Sequence, residues 1–95
     1  KQNDAAVVRL IRRIEGRMVA MEYMMVEYVV AEEKLETASR ITPGIESPTI
    51  SPLQRSGWVA VKSMIKKESS NQTLDELADL GCKGIVLTAI ETARI

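Results

Sequence analysis

Ninety-five residues, 45% of them hydrophobic and 27% charged, make one small domain with a single core. Thirteen lysines and arginines balance thirteen aspartates and glutamates, so no net field draws the chain to nucleic acid or an anionic membrane. Histidine is absent, Cys82 is the one cysteine, and Trp58, Tyr23 and Tyr28 are the aromatics, which excludes an internal disulfide, the usual zinc ligand sets and a base-stacking platform.

Residues 4–20 place apolar side chains at Val7, Leu10, Ile11, Ile14 and Met18, with Met21 continuing the row. This three-and-four spacing predicts an amphipathic helix, capped by Asn3 or Asp4. Arg9, Arg12, Arg13 and Arg17 fall on the opposite surface and read as a solvated face. Residues 1–21 therefore form a leading helix, and residues 22–95 the domain proper.

Glu22 to Val30, rich in Tyr, Met and Val, is predicted as a strand. Ala31 to Arg40 returns to helical spacing through Leu35 and Ala38, with Glu32 and Glu33 well placed at its amino end. The run from Thr42 to Leu53 then gathers all three prolines, Pro43, Pro48 and Pro52. Proline removes a backbone donor and pushes the preceding residue out of helix, so this run is a stiff loop whose second half, Thr49 to Leu53, is extended. Gln54 to Gly57 reads as a turn and Trp58 to Ile65 as the second arm of a hairpin.

Ser69 with Gln72 three residues on has the form of a capping box. The helix it opens is expected to bury Leu74, Leu77, Ala78 and Leu80 and to stop at Gly81. Cys82 to Ile90 is a β-rich apolar run, and Glu91 to Ile95 a tail. The order after the first helix is β-α-β-β-α-β. It predicts an α+β ferredoxin-like domain, an antiparallel four-stranded sheet with two helices on one face. The other sheet face is left uncovered, and its apolar residues predict burial in an oligomer.

No apolar run approaches the ~20 residues that span a bilayer, and no signal-peptide core is present, so a cytoplasmic location is expected. Lys1 in place of methionine is what an excised domain would show. Without histidine there is no Ser-His or Cys-His pair, and no glycine-rich phosphate fingerprint occurs. Glu32, Glu33, Glu36, Asp75, Glu76 and Asp79 are read as solvated helix carboxylates, and Cys82 as a buried structural thiol. The feature that points to function is the proline-bounded loop. It exceeds the four to six residues a plain joint needs, and it carries Glu46, Ser47 and Thr49 on a stiff backbone that Gly44 frees for close approach.

The run Thr42-Pro-Gly-Ile-Glu-Ser-Pro-Thr-Ile-Ser-Pro-Leu53 resembles the carboxy-terminal regulatory domain of long-form ATP phosphoribosyltransferase. The similarity extends to Tyr23-Met-Met-Val-Glu-Tyr28, Trp58-Val-Ala-Val61 and Asp75-Glu-Leu-Ala-Asp-Leu-Gly81, and covers roughly residues 10–95. The resemblance implies a ferredoxin-like, PII-like fold and a place in the enzyme that opens histidine biosynthesis. Catalysis, with its Mg2+, would belong to two other domains; this chain would need no cofactor and would not be an enzyme by itself. Its ligand would be L-histidine, acting as feedback inhibitor, and it would associate into a homo-oligomer, a trimer or hexamer. The positions that the resemblance places at the ligand are Ile45 and Thr49 in the loop, Met64 on the hairpin strand and Gly84 on the last strand; Ser47 joins them as a polar group of the same loop.

One position departs from the pattern. After the equivalent of Tyr28 the family commonly has an aspartate, and here Val29 stands in its place. Losing that carboxylate forfeits a charge-assisted hydrogen bond worth about 1.5–3 kcal/mol. Strand alternation sets Glu27 on the same side as Val29, so Glu27 is the candidate to replace it. Two functions follow: a histidine-responsive regulatory domain, favoured by the intact loop, or a structural oligomerisation module of the same fold, favoured by Val29.

Overall fold

A computed structural model describes residues 4–45 and 47–91. Helix α1 runs Asp4–Glu22, strand β1 Tyr23–Ala31, helix α2 Leu35–Ile41, β2 Thr49–Pro52, β3 Trp58–Lys66, helix α3 Ser70–Leu80 and β4 Lys83–Ala89. The sheet is antiparallel with strand order β2-β3-β1-β4. This is the ferredoxin-like arrangement expected from the element order. The expected bounds of every strand hold to within a residue.

Alternation also decides which side is core. Val26, Tyr28 and Val30 of β1 and Val59, Val61 and Ile65 of β3 are buried together with Ala38 of α2 and Leu77 of α3. Both helices therefore cover one face of the sheet. Truncating a fully buried residue such as Leu77 would cost about 2–5 kcal/mol. The other face carries Met25, Glu27 and Val29 from β1, and Ala60, Lys62 and Met64 from β3. Apolar and charged side chains are mixed on it.

Three local expectations need correction. Both core helices open with a 3₁₀ turn, Glu32–Lys34 and Lys67–Ser69, so the helix expected from Ala31 becomes regular only at Leu35. The Ser69–Gln72 capping box does not form: Ser69 makes no side-chain cap, its hydroxyl reaches back to the Lys66 carbonyl at 3.5 Å, and the Gln72 amide donates to Glu76. The 3₁₀ turn leaves Ser69 outside the β-region backbone a capping residue needs. Ala78, expected in the core, is exposed, since the buried stripe of α3 runs through Thr73 and Leu77.

The stop at Gly81 is as expected. Gly81 is left-handed at φ 99°, its N–H donates to Ala78 O and that of Cys82 to Leu77 O, the paired bonds of a Schellman motif. Lys34 adds a cation there, donating to the Leu80 carbonyl at 3.1 Å. Helix α1 stands apart from this packing. Its apolar row, Val7, Leu10, Ile11, Ile14, Met18 and Met21, is exposed, as are Arg9, Arg12, Arg13 and Arg17 behind it. No residue separates α1 from β1. No helix among the described residues is long and apolar enough to cross a membrane.

Candidate functional site

The open sheet face is laid out in cross-strand rows. Thr49 of β2 pairs with Lys62 of β3, Lys62 with Glu27 of β1, and Glu27 with Val86 of β4. The next row runs Ser51, Ala60, Val29 and Lys83. Between the two rows β1 advances two residues while β4 advances three, a bulge in which Gly84 and Ile85 oppose Tyr28. Gly84 takes φ 59°, the left-handed conformation such a bulge requires. A Cβ built on Gly84 meets nothing within 4 Å, so the strand bends away and leaves open space.

That space is a shallow concavity of about 280 Å³. Glu27, Val29, Thr49, Lys62 and Gly84 line it, with Ser51 and Ala60 on the second row. Its floor is apolar at Val29 and Ala60, and its rim carries two hydroxyls, a carboxylate and an ammonium. Glu27 and Lys62 are paired at 3.2 Å, each side chain about half exposed. A larger concavity of about 510 Å³ lies at the α1–β1 junction beside Met21, Glu22 and residues 66–68, and none of the ligand-contact candidates lines it.

The proline-bounded loop is fastened on the opposite side of the sheet. Thr42 is fully buried, and its hydroxyl lies 2.7 Å from the Tyr28 hydroxyl and donates to Ala38 O at 3.2 Å. Ser63 of β3 donates to the Thr42 carbonyl at 2.9 Å. Gly44 follows at φ 74°, where an added Cβ would stand 3.0 Å from the Ser63 hydroxyl oxygen and 3.1 Å from Ser47 O. Thr42 thus pins the start of the loop under the sheet, and Thr49 enters the sheet edge on the open side. Burial raises the Tyr28 hydroxyl above its ordinary pKa of 10.0, although its bond with Thr42 opposes this and Cys82 adds a smaller upward push. Burial likewise raises the Cys82 thiol, against the pull of the Lys34 ammonium, a cation its sequence neighbours do not supply.

Of the six residues singled out as ligand contacts, the fold brings Glu27, Thr49 and Gly84 together at the concavity. Met64 lies on the same face one step along β3, outside the lining, and Ile45 and Ser47 are exposed in the loop. Glu46 lies outside the described residues. Sequence reasoning missed Lys62, which strand alternation from Met64 sets on the same face. It also missed Thr42 as the anchor. Among the described residues, no group of three or more acidic, cysteine or histidine side chains could hold a metal ion.

Comparison with known proteins places the sequence in a family. The family model described as HisG, C-terminal domain, matches residues 20–92. The ATP phosphoribosyltransferase of Salinibacter ruber is 51% identical over 94 residues, covering 99% of this chain and 33% of that protein. Those of Pseudarthrobacter chlorophenolicus and Nocardia farcinica are 48% and 44% identical, covering 90% and 98% of this chain and 30% and 33% of their own lengths. The chain spans about a third of the length of the curated relatives it matches.

Proposed function

Because this chain belongs to the family of HisG C-terminal domains, we propose that it is a regulatory domain that binds L-histidine on its open sheet face and carries no catalysis of its own. The observation that carries the reading is the meeting of Glu27, Thr49 and Gly84, from three distant parts of the chain, around one concavity. The Glu27 carboxylate takes the role left empty by Val29 and receives the ligand's ammonium group. The Thr49 hydroxyl donates or accepts beside it, and the Gly84 bulge provides room. Ile45, Ser47 and Met64 stand outside this binding set. Binding would act on a distant active site only through different affinities for two quaternary states of a homo-oligomer.

Calorimetric titration of the 95-residue chain with L-histidine tests the reading. Saturable binding that disappears in Glu27→Ala supports it; binding unchanged in that variant removes Glu27 from the site. The alternative, an oligomerisation module that has lost its ligand, is favoured by Val29 and by Met25, Trp58, Met64 and Val86 on the same face. Under it, light scattering would show self-association while histidine gives no heat.

A further inference from the structure

We propose that Lys62 receives the ligand's carboxylate, so that the site selects zwitterionic α-amino acids over amines of the same shape. The proposal rests on the reading of this face as an amino-acid site and adds a residue and a selection rule to it. Lys62 stands between Thr49 and Glu27 in one cross-strand row. Adjacent strands lie about 4.8 Å apart, so Thr49 and Glu27 are separated by about 10 Å, roughly the reach of one amino acid. A ligand that touches both must pass over Lys62.

Charge makes the same demand. Glu27 and Lys62 already neutralise each other at 3.2 Å, with both groups half exposed. An ammonium ligand arriving at Glu27 displaces Lys62 and leaves two cations facing one carboxylate. A zwitterion avoids this, because its own carboxylate pairs with the released Lys62 and one ion pair becomes two. The apolar floor at Val29 and Ala60 adds no charge of its own, so discrimination falls on this pair.

The experiment compares L-histidine, L-leucine and histamine, which lacks the carboxylate, by calorimetry on the wild-type chain, Lys62→Met and Lys62→Arg. Lys62 is exposed, and its replacement leaves the core untouched. Expected is histidine binding that weakens about tenfold in Lys62→Met and is kept in Lys62→Arg, with histamine weak in the wild type and no weaker in Lys62→Met. Histidine bound equally by wild type and Lys62→Met, or histamine bound as tightly as histidine, overturns the role of Lys62 and leaves the histidine reading standing. Leucine binding that depends on Lys62, with no histidine binding, overturns the histidine reading and supports the proposal. Binding of neither amino acid overturns both.

Discussion

Tyr28 of β1 and Thr42 at the end of α2 share a hydroxyl–hydroxyl hydrogen bond of 2.7 Å in the core, beneath the face that carries the concavity. Thr42 is fully buried and its hydroxyl also serves Ala38 O, so one oxygen ties strand, helix and loop. Replacing Thr42 by valine keeps the shape and leaves Tyr28 with the Ala38 carbonyl at 3.3 Å as its remaining partner. The expected loss is about 1–3 kcal/mol by denaturant unfolding. Amide exchange across residues 44–51 should accelerate more than that of β1 and β3; equal acceleration everywhere would show that Thr42 only stabilises the fold and does not set the loop.

Gly44 and Gly84 both have positive φ and should respond differently to alanine. At Gly44 the new methyl meets Ser63 and the Ser47 backbone at 3.0–3.2 Å, and φ is 74°. Strain and collision together should cost about 2–4 kcal/mol. At Gly84 the methyl meets no atom within 4 Å, so only the backbone strain of about 1 kcal/mol is expected. Urea midpoints of the two variants measure the difference, and equal losses would contradict the packing described around Gly44.

Stability should fall on the alkaline side. Cys82 and Tyr28 both have folded pKa values raised above their ordinary 9.0 and 10.0, chiefly by burial. Each therefore favours the folded state in full below its ordinary value. That contribution is lost as pH rises through the raised value, because the unfolded chain ionises first. Unfolding free energy measured from pH 8 to 11 should decline first for Cys82, and Cys82→Ala should remove the earlier part of the decline. A flat profile in the wild-type chain would contradict the burial of both groups.

Helix α1 contributes little to the packed domain. Exposure along its apolar row runs from 48% at Ile11 to 74% at Met21. Removing residues 1–21 should leave the unfolding free energy of the remainder within about 1 kcal/mol, since little apolar area returns to water. Collapse of near-ultraviolet dichroism on truncation would show instead that residues 22–95 are not a domain on their own.

The strands were legible because β1 and β3 are rich in β-branched, aromatic and other apolar residues, and Gly81 marked the end of α3 by a conformation only glycine adopts readily. Their order in the sheet followed from the β-α-β-β-α-β succession, but the register that lines up Thr49, Lys62 and Glu27, and the bulge at Gly84, are long-range choices that no local pattern encodes. The 3₁₀ turns escaped for a related reason: residues 32–34 and 67–69 have helical composition, and tertiary context decides how tightly they wind. At the site, resemblance supplied Thr49 and Gly84 and alternation supplied Glu27. Lys62 reads as one more solvated lysine until its neighbours across two strands are known. Thr42 looked like loop, and its burial depends on Tyr28 and Ser63 arriving from elsewhere in the chain.

The junction at Glu22 and Tyr23 has a mechanical consequence. A helix joined to a strand by a tether can swing freely; here there is no slack, and Glu27 sits four residues beyond the joint, about 14 Å along the strand. Whatever grips the apolar row of α1 holds a lever whose short arm is one of the two central strands. A force on that lever would pass directly into β1, which is paired with both β3 and β4. The spacing between Glu27 and Thr49 would then be tuned from outside the domain, with the helix acting as the handle.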